Sequence, residues 1–166
     1  MVLDMQMTKS ESSEKSQEQL VEQMGIVFEK SGLAPMQGRV FAYLLIAEPS
    51  QKDFYEIQEF LKASKSAISN ALNHLMRDKM VTYITFSGDR KRYFKVDMDG
   101  WMDSIQGQIK DLAYFNVLIS NVIEIRSSKD EDFNKKLKKM SAFYLDLDKV
   151  LNSFVDKWNT KNDTSK

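Results

Sequence analysis

Side chains able to do chemistry gather in two stretches of this sequence. The first is KSAISNALNHLMR, residues 65–77, where Ser66, Ser69, Asn70, Asn73 and Arg77 recur at helical spacing behind Ser64 and Lys65. The second is SGDRKRYFKV, residues 87–96, where four positive charges and one negative charge surround Gly88. Hydroxyls, carboxamides and bases donate and accept hydrogen bonds and neutralise anions, but none of these is an activated nucleophile. The chain has one histidine, His74, and no cysteine, which excludes cysteine-bound zinc and any multi-histidine metal site. It also lacks a glycine-rich phosphate loop and a nucleophile elbow. An enzyme is therefore not expected, and neither is a metal or cofactor. The chemistry on offer is recognition.

The first stretch has two faces. With Ile68 at zero on a wheel of about 100° per residue, Ala71, Leu72, Leu75 and Met76 fall within about 80° of it, a core-facing stripe. Ser66, Asn70, Asn73 and Arg77 lie opposite, with Ser69 flanking and no acid among them. Asn and Ser are weak helix formers, so helix stability does not explain an exposed stripe made of them. Readout of a DNA major groove does: carboxamides pair with adenine edges, hydroxyls with several partners, and a helix N-terminus with phosphate. The bland alternative is a tolerated polar surface. His74 sits at the edge of the apolar stripe and is expected to pack or to bond backbone.

The elements around these stretches give them direction. Ser10 to Lys30 reads as a helix with Leu20, Met24 and Val27 on one face, stopped by Ser31-Gly32, after a frayed start at residues 1 to about 10. Pro35 suits the first turn of a second helix, which runs to about Ala47 before Pro49. Asp53 followed by Glu56 reads as a capping box for a short helix carrying Phe54, Ile57, Phe60 and Leu61. A few residues later Ser64 can cap the next helix. Two short helices on so tight a turn form a helix-turn-helix candidate. After Met80 the period falls from 3.6 to 2 in VTYITF and again in RYFKV, so the charged stretch becomes the tip of a hairpin. Helix, helix, turn, helix, strand, charged turn, strand is a winged helix-turn-helix pattern.

Net charge is zero, but its distribution is not even. From Leu61 to Val96 eight basic residues stand against Asp78 and Asp89, a net of +6 that the rest of the chain must offset. A basic face on an acidic body is the electrostatic footprint of a polyanion partner. At 42% hydrophobic and 29% charged residues, the 166-residue chain has the make-up of a folded protein. No apolar run approaches the length of a bilayer span, and MVLDMQMTKSESSEKS lacks the apolar stretch of a signal peptide. The expected location is cytoplasmic, with no membrane partner.

The run LKASKSAISNALNHL, the short strand after it, SGDRKRYFKV and a tryptophan-led helix resemble the GbsR/MarR-type bacterial transcriptional regulators. SGLAPMQGRVFAYLLIAEP looks like the opening helix of the same domain. The resemblance spans about Met24 to Trp101 and is most specific at Gly88-Asp89-Arg90-Lys91. It implies a homodimer on a pseudo-palindromic operator in double-stranded DNA, each recognition helix in a major groove and each wing near a minor groove. Carried onto this sequence, Ser64 to Asn73 would face bases and phosphates, Arg90 would be the wing-tip arginine, and Asp89 would buttress it. Some relatives answer to small molecules, choline-like osmolyte precursors among them, so an effector is an implied partner.

The C-terminal third carries a heptad seam: Phe133, Leu137, Met140, Tyr144, Leu147, Leu151, Phe154 and Trp158. Upstream, Met102, Ile105, Ile109, Leu112, Asn116, Ile119 and Ile123 keep the same rhythm with one polar intrusion, Asn116. A single Asn in such a seam can fix register and partner. Dimerisation through Ile109, Leu112, Asn116, Leu137, Met140, Tyr144, Leu147, Leu151 and Phe154 is expected, against the plainer possibility that both helices pair within one chain. Trp101, Tyr114, Phe115 and Tyr144 could cage a cation, though aromatic residues at helical spacing are more often core.

The expected architecture is mainly α with a small β-hairpin: an N-terminal tail and dimerisation helix at 1–32, a winged helix-turn-helix at 33–97, dimerisation helices at 98–160 and a disordered tail at 161–166. The expected function is a dimeric, sequence-specific DNA-binding regulator that represses by promoter occlusion. The alternative is a winged-helix protein–protein interaction module that does not bind DNA.

Overall fold

A computed structural model describes residues 2–163, with side chains described over 15–161. Its elements are α1 (Val2–Lys30), α2 (Pro35–Ile46), β1 (Lys52–Asp53), α3 (Phe54–Leu61), α4 (Lys65–Arg77), β2 (Val81–Ile84), β3 (Tyr93–Val96), α5 (Met98–Ile125) and α6 (Glu131–Asp163). The mainly helical class with a small antiparallel sheet is as expected. The chain divides into two compact units between Trp101 and Met102. Two terminal expectations change. Helix α1 already begins at Val2, and α6 runs through residues 161–163, while residues 164–166 of the expected tail lie outside the described residues.

In the first unit α1 turns a different face inward than expected. Val21 is 1% exposed and Met24 and Phe28 pack beside it, while Leu20 and Val27 face solvent. The buried stripe is thus 21-24-25-28, one residue along from the Leu20–Val27 reading. Gly25 selects it. A Cβ on Gly38 of α2 would stand 3.0 Å from the Gly25 carbonyl oxygen, so the two helix backbones meet where neither carries a side chain. Arg39 of α2 then ties the crossing with Nη2 to Glu22 at 2.8 Å and Nη1 to Glu29 at 2.7 Å.

The core is built on α2. Phe41 is fully buried, its ring edge-on to Phe28 at 5.1 Å and to Trp101 at 5.0 Å. Trp101 is therefore a core residue. Ile57 from α3, Ile68, Leu72 and Leu75 from α4, and Val81 from β2 fill the remaining space. The expected apolar stripe of α4 is the observed one, with Met76 half-buried at its margin.

Local chemistry explains why α3 and α4 start where they do. The Asp53 carboxylate accepts from the Tyr55 and Glu56 amides at 2.8 and 2.9 Å, and Glu56 accepts from the Asp53 amide at 2.7 Å, completing the capping box. Ser64 Oγ accepts from the Ala67 amide at 3.2 Å. Between the helices the chain reverses at Lys62, which takes a left-handed conformation (φ 49°, ψ 38°), with the Lys62 and Ala63 amides closing onto α3 carbonyls.

The sheet has the order β1-β3-β2, antiparallel throughout. Strand β1 is a dipeptide that sequence periodicity does not reveal; it sets Lys52 opposite Phe94 and Asp53 opposite Tyr93. The two hairpin strands are shorter than expected. Thr85, Phe86 and Arg92 fall outside the ladder, because the chain turns early: the Asp89 amide closes onto the Phe86 carbonyl at 3.1 Å, with Gly88 at φ +83°.

A close approach governs the exit from the sheet. A Cβ at Gly100 would lie 2.2 Å from the Lys79 carbonyl oxygen. In an open helix glycine to alanine gains up to about 1 kcal/mol, but here the clash is with backbone and must displace it. Gly100→Ala should therefore lower stability by about 1–3 kcal/mol; a midpoint in urea equal to or above wild type would refute this.

The second unit is an antiparallel helical hairpin of the rest of α5 and α6. Arg126 Nε donates to Asn134 Oδ1 at 2.6 Å near the turn, Ser141 Oγ to Asn116 Oδ1 at 2.9 Å midway, and Gln106 Nε2 to Asn159 Oδ1 at 3.5 Å at the open end. The two heptad seams face each other in part, while Met102, Ile105, Phe133 and Trp158 stay exposed. Leu137 and Asn116 are the buried residues of this unit among those described, and Ile109, Leu112, Tyr144, Leu147 and Leu151 are half-buried. Asn116 thus fixes the register of α5 against α6 through Ser141, and with Leu137 it is occupied within the chain. A five-residue connection makes the neighbouring helix the nearest partner for both. Met140 and Phe154 remain exposed, with Val117, Val122, Ile125, Phe143 and Val150. Phe115 meets Tyr144 edge-on at 5.3 Å, while Tyr114 is 65% exposed.

Candidate nucleic-acid interface

Helix α4 turns its polar stripe outward. Ser64, Lys65, Ser66, Ser69, Asn70, Asn73 and Arg77 are all exposed, and the fully buried Ile68 and Leu75 opposite them fix the rotation of the helix. Ser64 is both a cap and a surface group, its hydroxyl 3.1 Å from that of Ser66. The Lys65 ammonium stands 5.7 Å over the ring of Tyr55, an exposed α3 residue that the sequence pattern did not single out. Ser69 and Asn73 line an open groove of about 400 Å³ together with Asp53, Tyr55, Arg90 and Arg92. Recognition helix and wing therefore share one concave face within the first unit.

His74 departs from expectation. It is exposed rather than packed, and its Nδ1 lies 2.8 Å from Arg77 Nη2. At roughly 120° from Ile68 on the wheel, it clears the edge of the core. Arg77 also reaches Asp78 at 3.3 Å, but both groups are solvated. An exposed pair of this kind contributes about 0–1 kcal/mol, so a phosphate can take Arg77 from it.

The wing distributes its charges unequally. Asp89 does not brace Arg90. Its carboxylate accepts from the Tyr93 hydroxyl at 2.7 Å and the Lys91 amide at 2.9 Å, making a small hydrogen-bonded turn. Tyr93 and the Lys91 amide hold the Asp89 carboxyl below the usual carboxylate range, and Asp89 in turn raises the Tyr93 phenol. Lys91 donates its ammonium to Asp53, whose carboxylate is almost completely buried. The Arg92 guanidinium lies 4.7 Å over the Tyr83 ring. Arg90 is exposed at the groove, between Asp89 and Lys91.

Burial pushes the Asp53 carboxyl up, but the Lys91 ammonium and the Glu56 and Tyr55 amides outweigh it and leave it lowered. Asp53 raises Lys91. A lowered acid stabilises the fold above its unfolded pKa of about 3.9, and a raised base below its unfolded pKa of about 10.4. The pair should contribute in full from about pH 4 to about pH 10. In thermal melts, the gap between wild type and Asp53→Asn should stay constant from about pH 5 to 9 and shrink as pH falls through the folded-state pKa of Asp53. A gap that widens in acid would contradict the pairing.

No protein-family model matches the chain. A solved transcriptional regulator superposes with a TM-score of 0.64 at 21% identity, over 87% of this chain and 99% of its own. The fold is a winged helix-turn-helix. Across 143 residues the chain is 22% identical to the HTH-type transcriptional regulator MmpR5 of Mycobacterium tuberculosis, covering 86% of this chain and 87% of that protein. The resemblance to helix-turn-helix regulators seen in the sequence thus reaches well beyond the winged helix-turn-helix itself. Among the described residues no cluster of His, Cys, Asp or Glu could hold a metal ion, and no helix is long and apolar enough to cross a membrane.

Proposed function

We propose that this protein is a cytoplasmic, homodimeric, sequence-specific DNA-binding transcriptional regulator that represses by occluding its promoter. The observation that carries the reading is the exposed, acid-free stripe Ser66, Ser69, Asn70, Asn73 and Arg77 on the recognition helix of the winged helix-turn-helix, beside the exposed Arg90 of the wing. A protein-docking module would present apolar anchors on that helix, and every large apolar side chain of α4 is buried or half-buried. The dimer is supported by the second unit, which leaves Val117, Val122, Phe143, Val150 and Phe154 in solvent. A second copy covers them and supplies the second half-site reader.

Selection from a pool of random duplexes should recover an inverted repeat with half-sites about one helical turn apart. Affinity should fall steeply with salt as counterions are released. Val117→Asp with Val150→Asp should give a monomer in sedimentation and abolish enrichment of the repeat. Recovery of no motif, or binding indifferent to salt, would overturn the reading. The effector that the resemblance implies would be detected as a ligand that shifts affinity for the selected duplex.

A further inference from the structure

We propose that the Asp53–Lys91 pair is the pin that fixes the wing against the helix-turn-helix, so that Lys91 is a positioning residue and Arg90 is the wing side chain left to meet DNA. This rests on the DNA-binding reading of the α4–wing face, but the pin itself is a property of the free protein. Asp53 is 4% exposed and its two oxygens have separate tasks. Oδ1 caps α3 through the Tyr55 and Glu56 amides, and Oδ2 takes the Lys91 ammonium from 38 residues away. Lys91 is held a second time through its backbone, whose amide donates to Asp89, itself bonded to the Tyr93 hydroxyl. The strand register completes the clamp, since Asp53 lies opposite Tyr93 in the β1–β3 ladder. Arg90 sits between two tethered residues, and its backbone is placed by them.

A lysine in such a wing is normally counted as a phosphate contact. Here, moving its ammonium to a phosphate would strand a buried carboxylate without a counter-charge, which is strongly unfavourable. The two roles predict opposite signs for Asp53→Asn. Asparagine still caps α3, so the fold is kept while Lys91 is released. If Lys91 were a phosphate ligand, the released ammonium would tighten binding. As a positioning residue it loosens the wing, and binding weakens.

The test uses the full chain with a selected duplex and with a mixed-sequence duplex. Asp53→Asn and Lys91→Met should each weaken binding by about tenfold, with the double variant no worse than either single, because one interaction is lost in all three. The slope of log affinity against log salt should stay at the wild-type value for Lys91→Met, whereas loss of a phosphate contact makes it shallower by about 0.9. In DNA-free protein, hydrogen exchange at the wing amides should speed up by about fivefold or more in both variants, and by more than that of the α2 core amides, which follow only the loss of global stability. Tighter binding by Asp53→Asn, a shallower slope for Lys91→Met, or wing exchange equal to wild type would each overturn the proposal. If wild type binds neither duplex, the DNA reading fails and the exchange measurement alone decides the pin.

Discussion

Alanine at both Asn70 and Asn73 should leave the protein folded and still able to bind DNA, while flattening its preference among sequences. Both side chains are exposed on α4 and neither supports the core. Alanine is the better helix former, so loss of structure is not a competing explanation. A carboxamide that pairs bidentately with an adenine edge contributes about 1–3 kcal/mol of discrimination, so each position should lose roughly 5- to 150-fold preference between its best and worst base. Arg90→Ala should act differently, weakening all duplexes alike and lowering the salt slope by about one. Competition between the selected duplex and single-base variants separates the two. An unchanged ranking of bases in the double-alanine protein would remove α4 as the reading element.

Phe41→Ala should be the most damaging single core change. The ring is fully buried and touches Phe28 and Trp101 edge-on, so its loss opens a cavity at the meeting point of α1, α2 and the first turn of α5. Burial and cavity terms for such a truncation come to about 3–5 kcal/mol, and each aromatic contact adds about 0.5–1.5 kcal/mol. Against a typical total of about 5–15 kcal/mol, that leaves the first unit at or below marginal stability. The chain has two tryptophans, Trp101 and Trp158, one in each unit, so a Trp158→Phe background makes fluorescence report on the first unit alone. An unfolding free energy from urea titration within about 1 kcal/mol of wild type would mean that Phe41 is not the keystone its burial indicates.

Periodicity made the helix-turn-helix and the hairpin legible because each local signal there agreed with the fold. The Asp53 and Ser64 caps, the Ile68–Leu75 stripe and the Gly88 turn are all readable within a few residues of themselves. The contacts that local reading does not reveal involve partners far apart in the chain. A two-residue β1 has no period to detect, and Lys91 looks like any other tip charge until β1 brings Asp53 beside it. The resemblance makes Asp89 a buttress for Arg90, but a Tyr93 hydroxyl four residues on takes its carboxylate. The buried face of α1 depends on where Gly25 meets Gly38, a matter of two helices rather than one. Asn116 reads as a partner-selecting residue in any heptad seam, and only the α5–α6 pairing assigns it to Ser141.

The sparse interior of the second unit has a consequence for how the protein responds to its own abundance. Among the described residues of this unit only Leu137 and Asn116 are buried, so in the proposed dimer the apolar residues left in solvent would be covered only on association, which depends on concentration. Each tenfold dilution then removes about 1.4 kcal/mol from the assembled state. The first unit has a core of its own around Phe41. If the protein pairs and reads two half-sites as proposed, occupancy of such an operator would fall more steeply than the protein concentration itself.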